Sequence, residues 1–369
     1  MKLCVVAGEA SGDLHAAELV RELKRLDPNI QTFGLGGDRL AAEGMRVLHH
    51  ARELGIVGLF NVLRHLSMFR RIFRELLDEI RREKPDAILL VDYPDFNLRL
   101  AKQCKRMGMK VAYYISPQIW AWRRGRVKQI AKSVDHMIVI FPFEEAYYSR
   151  HGVPVTYVGH PLIEQLKGLR APEALPRRGE PLRLALMPGS RRMEVESLLP
   201  AMLEAVRILG RSRTLDAFVI QAPTIDGSLI GSILEGREDI RVVSHDGGVQ
   251  LAQAHLGLSS SGTATLEAAV IGVPVVVMYR LSPATYRLAR MLVRLPNFSL
   301  INIVAGRRVV PELIQSEVTG ERVAAAAETL LQPDTYNTIK DELARIRPLL
   351  GESGSSERAA RRVWSLMNR

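Results

Sequence analysis

Short apolar runs alternate with stretches of helical period along most of the chain. In the first half, the runs at 3–7, 32–35, 87–91, 111–115 and 137–141 predict strands. The gaps between them are long enough for crossover helices, which implies a parallel sheet. A polar, Pro-rich passage at 167–181, holding Pro172, Pro176, Gly179 and Pro181, reads as a linker. The alternation then restarts, with strands expected at 183–187, 217–221, 241–243, 256–259 and 273–278. From 320 to 369 three helical patterns follow with no strand between them, split by Pro333 and by Gly351-Glu352-Ser353-Gly354.

The predicted fold is α/β: two Rossmann-like domains with parallel sheets facing across a cleft, and C-terminal helices crossing back. The expected divisions are an N-terminal domain at 1–166, the linker at 167–181, a C-terminal domain at 182–345, and a last helix at 346–369 packing on the N-terminal domain or on a partner. In such sheets ligands bind beyond the carboxyl ends of strands, so the loops that follow strands are where chemistry is sought.

One helical pattern is unusual. Along 59–77, Leu59, Phe60, Leu63, Leu66 and Phe69 run among Arg64, Arg70, Arg71 and Arg74, with no acid before Glu75. A basic, greasy helix of this kind suits an anionic membrane surface, although a packed crossover helix has the same period. The chain as a whole carries 51 Lys+Arg against 40 Asp+Glu, a net charge of +11, so an anionic partner is expected. Aromatic-interleaved cations recur at 120–128, and Arg287, Arg290 and Arg294 share one helical face. No nucleic-acid motif accompanies them, so a nucleic-acid partner is not expected. The longest strongly apolar run, 268–279, is broken by Gly272 and Pro274 and is too short to span a bilayer. The two cysteines, Cys4 and Cys104, lie in apolar patterns and read as buried thiols in a reducing compartment.

Two loops of the second half have the composition of anion sites. Ser261-Gly262-Thr263-Ala264 opens a helix after a strand, where free backbone N–H groups and the positive dipole end favour a diphosphate. Glu267, one turn on, is placed to accept hydrogen bonds from ribose hydroxyls. Pro188-Gly189-Ser190-Arg191 also follows a strand: Gly189 permits close approach, Ser190 donates or caps, and Arg191 offsets developing charge. Each loop alone also fits an ordinary helix cap.

In the first half, Gly8-Glu9-Ala10-Ser11-Gly12-Asp13 follows the first strand, and Asp92-Tyr93-Pro94-Asp95-Phe96-Asn97 follows another. The first loop, with Ser11, Gly12 and Asp13, reads as acceptor-side, and Glu9 as a catalytic-side carboxylate that no capping role accounts for. If a sugar hydroxyl attacks, a carboxylate must take its proton; Asp95 is the first choice and Asp92 the second. A metal site is not expected, because hard cations need more oxygen ligands than this stretch supplies. A dinucleotide fingerprint, a P-loop and a nucleophile elbow are all missing from the sequence.

Taken with Ser116-Pro117-Gln118-Ile119-Trp120-Ala121-Trp122, these motifs resemble the lipid-A-disaccharide synthases, glycosyltransferases of the GT-B fold. The resemblance runs from the first strand to about Gln315. It implies inverting transfer from UDP-2,3-diacylglucosamine to the 6-hydroxyl of 2,3-diacylglucosamine 1-phosphate, giving a β-1,6 disaccharide and UDP without a metal or other cofactor. It further implies a peripheral enzyme on the cytoplasmic face of the inner membrane, a homodimer through the C-terminal helices, Gln118 and Trp120 on the acceptor side, and Asn302 at the donor. One departure stands out: Ser299-Leu300-Ile301-Asn302 replaces the expected Ser-Leu-Pro-Asn, which puts the local turn in question. The rival readings are a UDP-sugar epimerase, a transferase with a soluble acceptor, and a basic membrane- or nucleic-acid-binding module.

Overall fold

The structure is a computed structural model that describes residues 1–55, 62–122, 124–282, 285–287 and 296–368, without the side chains of 55, 62–66, 121, 122 and 124. It forms two compact units, Met1–Pro161 with Leu350–Arg369, and Leu162–Leu349.

The first unit is built on β1 (Lys2–Ala7), β2 (Gln31–Gly36), β3 (Arg46–His50), β4 (Ala87–Val91), β5 (Val111–Tyr114), β6 (His136–Val139) and β7 (Val155–Tyr157). They form one sheet in the order β3-β2-β1-β4-β5-β6-β7, every pairing parallel. The connecting helices are α1 (Ala10–Leu26), α2 (Asp38–Ala42), α3 (Ala51–Gly55), α4 (Val62–Glu83), α5 (Pro94–Arg106), α6 (Ile119–Trp122), α7 (Val127–Ser133) and α8 (Pro142–Ser149). Alternate side chains of the strands, among them Val6, Leu90 and Tyr113, pack against Ile72, Leu76 and Ile80 of α4, Leu100 and Cys104 of α5, and Ile130 of α7. These three helices therefore line one face of the sheet. The C-terminal helix, Ser355–Met367, packs on α1 and near β4, β5 and β6, with Ala359, Ala360 and Val363 fully buried.

The second unit holds β8 (Leu182–Met187), β9 (Leu215–Ile220), β10 (Arg241–Val243), β11 (Leu256–Ser260), β12 (Val275–Tyr279) and β13 (Glu312–Ile314). Their order is β10-β9-β8-β11-β12-β13, again all parallel. Its helices are α9 (Leu162–Gln165), α10 (Arg192–Leu209), α11 (Gly227–Ile233), α12 (Gly247–Leu251) and α13 (Thr263–Ile271), followed by Leu300–Ala305, Gly320–Leu330 and Pro333–Leu349.

The expected linker at 167–181 belongs to the second unit. Ala171 is buried and its N–H donates to the Ile271 carbonyl at 3.0 Å, while Lys340 Nζ donates to the Pro172 carbonyl at 2.8 Å. The division falls at 161/162, and the chain returns to the first unit at 350. Edge strands β3, β7 and β13 are additions to the sequence expectation. They are three to five residues long and mostly half-buried, so they lack the continuous apolar run that marks a central parallel strand.

Candidate active site at the sheet switch points

Each sheet reverses its winding direction once, between β1 and β4 in the first unit and between β8 and β11 in the second. At such a point adjacent crossovers diverge to opposite faces and leave a crevice at the carboxyl ends of the strands. All four motif loops lie there. Ala7 pairs with Val91, so Gly8-Glu9 and Asp92-Tyr93 emerge side by side; Met187 pairs with Ser259, so Pro188–Arg191 and Ser261–Thr263 do likewise.

In the first unit the backbone is strained at this point. Asp92 and Tyr93 both sit in the left-handed region at φ 47°, and Ile115, at the end of the neighbouring β5, has φ 61°. A β-branched residue rarely occupies that region, and such strain persists only where surroundings enforce it. Here they do. Asn97 Nδ2 donates to the carbonyls of Asp92 at 2.8 Å and Val91 at 3.2 Å, Tyr113 Oη donates to the Asp92 carbonyl, and Asp92 N donates to the Tyr114 carbonyl at 3.0 Å. The Tyr93 ring lies over Gly8, where a Cβ would come within 2.5 Å of it. Burial, and then the nearby charge of Glu9, pushes the Asp92 carboxyl up to about 6. Glu9 itself is exposed at the start of α1 and has no side-chain partner among the described residues.

Asp95 differs. It is exposed on the first turn of α5, and its carboxylate pairs with Arg126. Asp95 is thus engaged by a guanidinium at the surface, while Asp92 stands at the strand end with its carboxyl raised.

The acceptor-side expectations divide. Ser11 is exposed in the first turn of α1 and Gln118 in the loop after β5, and Gly12 is buried against Ala7 and Val91. Asp13 is committed elsewhere: one carboxylate oxygen accepts from Gly37 N at 2.6 Å and Leu40 N at 3.3 Å, the other from Arg39 N at 3.0 Å, capping α2 across some 25 residues of sequence. Trp120 is also turned inward. Its indole N–H donates to buried Glu144 at 3.1 Å and its ring meets Phe143 edge-on at 4.8 Å. Burial raises the Glu144 carboxyl to about 8. Trp120 therefore anchors the loop that carries Gln118 rather than facing a ligand. Of the expected membrane-contact residues, Leu59 and Phe60 lie outside the described residues, as do the side chains of Leu63 and Leu66; Phe69 is part-buried against the core. Arg290 and Arg294 also lie outside the described residues.

The two loops of the second unit are not equivalent. At the start of α10 the amides of Ser190 and Arg191 already donate to the Glu194 carboxylate, at 3.1 and 3.3 Å. The helix supplies its own anion, and Gly189 makes room for it: φ is +118°, and a Cβ would stand 2.3 Å from Glu194 Oε2. The Ser190 hydroxyl faces solvent, and the mostly exposed Arg191 side chain also donates to Glu194, at 3.3 Å. Gly189→Ala is expected to cost roughly 1–3 kcal/mol, read as a melting temperature lowered by several degrees; unchanged melting would remove the steric argument.

At α13 the helix start is open. Its N-cap, Gly262, offers no side chain, and the amides of Gly262, Thr263 and Ala264 have no acceptor among the described residues. Nothing lies within 4 Å of a Cβ built on Gly262, whose φ of 174° is ordinary extended backbone. Ser261 Oγ ties the loop down by donating to the Phe298 carbonyl at 3.2 Å. One turn along, Glu267 is partly buried, has no hydrogen-bond partner among the described residues, and is raised by burial above the ordinary carboxylate range. An unpartnered carboxylate beside an uncapped helix start is an acceptor and a set of donors awaiting a ligand.

Asn302 is excluded from that ligand by its own bonds. It is fully buried, its Nδ2 donates to Val310 O at 3.0 Å and Glu312 Oε1 at 2.8 Å, and its Oδ1 accepts from Val309 N and Val310 N. It organises the 309–312 segment instead. The Ile301 departure leaves the turn intact: Ser299 caps the Leu300–Ala305 helix, so position 301 lies in its first turn, where proline and isoleucine both fit, and Ile301 is fully buried.

Among the described residues no group of three or more His, Cys, Asp or Glu side chains is placed to hold a metal.

The molecule is similar to known proteins along its full length. A family model described as lipid-A-disaccharide synthetase matches residues 3–362. The lipid-A-disaccharide synthases of Geobacter metallireducens and Myxococcus xanthus are 43% and 44% identical, covering 100% and 99% of this chain and 98% and 97% of theirs. Among solved structures, a UDP-GlcNAc 2-epimerase from Neisseria meningitidis, bound to UDP-GlcNAc, superposes with TM-score 0.67 at 13% identity, covering 99% of this chain and 100% of that one. The calicheamicin glycosyltransferase CalG4 gives 0.63 at 16% identity, covering 100% and 98%, and Acinetobacter baumannii MurG gives 0.58 at 13%, covering 99% of both. At these identities the structural likeness speaks for a shared GT-B fold.

Proposed function

The chain belongs to the lipid-A-disaccharide synthase family, and on that premise we propose how its own residues carry the transfer of a UDP-linked sugar to a lipid-linked sugar phosphate. It is a glycosyltransferase of lipid A biosynthesis. The donor is UDP-2,3-diacylglucosamine and the acceptor 2,3-diacylglucosamine 1-phosphate. As the acceptor 6-hydroxyl oxygen bonds to the donor's anomeric carbon with inversion, its proton passes to the Asp92 carboxylate. The bond from that carbon to the β-phosphate oxygen breaks, and the electron pair leaves with UDP.

The open start of α13 beside an unpartnered Glu267 is the observation that carries the donor site. The free amides and helix dipole meet the diphosphate, Arg191 adds a mobile positive charge, and Glu267 accepts from the ribose. We take the reaction to be metal-independent, the departing charge being met by these groups. On the acceptor side burial, and then the charge of Glu9, keeps the Asp92 carboxylate basic enough to receive a proton near neutral pH.

A lipid-linked acceptor supports a peripheral position at the cytoplasmic face of the inner membrane; among the described residues no helix is long and apolar enough to cross a membrane. The same reading includes a homodimer through the C-terminal helices; that helix covers α1 within its own unit, so an exchanged form of the dimer would have it cover the partner's α1 instead.

The test is a product assay with UDP-2,3-diacylglucosamine and the monosaccharide 1-phosphate, read by mass. A disaccharide 1-phosphate with stoichiometric UDP is expected. An epimerised UDP-sugar with the acceptor unconsumed would replace this reading by the epimerase one.

A further inference from the structure

The mechanism leaves one strongly charged feature unused. After Asp95, α5 carries Arg99, Lys102, Lys105 and Arg106 and no acid, and α7 carries Lys128 and Lys132 and no acid. Lys102 and Arg106 follow Asp95 at i+7 and i+11, so they continue its stripe along one side of the helix. Between α5 and α7 lies an open groove of about 600 Å³, lined by Lys102, Lys105, Arg106, Lys128 and Lys132. All five are exposed; among the described residues no aromatic or acidic side chain lines the groove, and Lys105 is the one of the five with an ion-pair partner, Asp135. Clustering like charges costs free energy through mutual repulsion unless an anion offsets it.

The chemistry of the lining selects among anions. A single phosphate is held by convergent backbone N–H groups or an arginine fork, whereas these cations are mostly lysines on opposite walls, flexible and strongly hydrated, suited to a row of separate phosphates. Single-stranded nucleic acid would want aromatic faces for stacking, and none of the described residues lining the groove offers one. The acceptor sugar's own phosphate is one pyranose ring from its reacting hydroxyl. Lys102 and Arg106 stand ~10 and ~16 Å along α5 from Asp95 at ~1.5 Å per residue, too far for that phosphate to occupy the whole groove.

We propose that the α5–α7 groove seats the phosphodiester headgroups of anionic phospholipid and so holds this helical face of the first unit against a bilayer. The proposal rests on the reading of a lipid-linked acceptor, and it places the attachment on α5 and α7.

Flotation of the full chain with vesicles tests it. The variant Lys102→Gln/Lys128→Gln/Lys132→Gln is compared with Arg170→Gln/Arg177→Gln/Arg178→Gln, which removes the same charge from exposed positions of the second unit. On vesicles of phosphatidylethanolamine with phosphatidylglycerol, the groove variant is expected to partition ~100-fold more weakly, about fivefold for each charge removed, while the second-unit variant stays near the unmodified chain. On phosphatidylcholine vesicles all three should agree. Equal losses in both variants, or none in the groove variant, would overturn the site. Inorganic phosphate raising the melting temperature of the unmodified chain but not of the groove variant, with flotation unchanged, would make it a free-anion site and overturn the lipid assignment. Turnover on detergent-dispersed substrates separates the two readings: if the unmodified chain makes no disaccharide there, the transferase reading fails while the flotation result stands.

Discussion

Replacing Asp92 by asparagine is expected to lower turnover of the acceptor by roughly two to four orders of magnitude, the range a positioned general base supplies, while UDP affinity by calorimetry stays unchanged. The side chain keeps its shape, and the strained turn keeps the bonds from Asn97 and Tyr113, because those reach the Asp92 carbonyl and not its carboxylate. The pH profile carries the same assignment. With the carboxyl at about 6, kcat/KM of the unmodified chain should fall about tenfold per pH unit below that value as the base becomes protonated. Stability moves the other way. A carboxyl whose pKa is raised on folding binds its proton more tightly in the folded state, so the fold loses stability as pH climbs from 3.8 to about 6 and stays penalised above it, by roughly 3 kcal/mol. Asp92→Asn removes that penalty, and the variant should melt no lower than the unmodified chain at pH 7. Asp95→Asn breaks the pair with Arg126 and should cost far less in turnover. Full activity in Asp92→Asn together with inactive Asp95→Asn would return the role to Asp95.

Much of this arrangement is legible in the sequence, and the part that is not has a consistent physical origin. Strands such as β4 and β8 announce themselves because both faces are covered, so nearly every position must be apolar. The switch points follow from them, since a loop after a central strand needs only the strand to be placed. The roles of individual polar groups depend instead on partners that the pattern does not bring together. Asp13 serves amides 24 to 27 residues away, Trp120 meets Glu144 across 24, and Asn302 closes a loop around Val310 and Glu312. Each looks free in the sequence and is committed in the fold. The Glu194 cap is different: an acid three residues past the turn is the capping-box spacing, so the self-satisfied start of α10 carried a readable local signal. Composition alone could not separate it from α13, since both turns are small, polar and glycine-bearing.

Gly262→Asp should make that separation measurable, with opposite effects on stability and on ligand affinity. At Gly262 the φ of 174° is open to any residue and a Cβ meets nothing within 4 Å, so the fold itself has no use for a glycine there. An aspartate at this N-cap would accept from the amides that now lack an acceptor and would place a negative charge at the positive end of the dipole. Melting temperature should therefore hold or rise. The same carboxylate would occupy the diphosphate's donors and repel its charge. Losing two charge-assisted hydrogen bonds at ~1.5–3 kcal/mol each lowers UDP affinity by two orders of magnitude or more. Glu267→Ala should weaken UDP by a smaller factor and spare the free phosphate end of the ligand, so its loss should vanish when inorganic pyrophosphate replaces UDP as competitor, whereas that of Gly262→Asp should persist. Gly189→Ala is the mirror image, because there the protein and not the ligand fills the space. If Gly262→Asp bound UDP normally, the diphosphate would have to lie elsewhere, and the open start of α13 would be left without an anion.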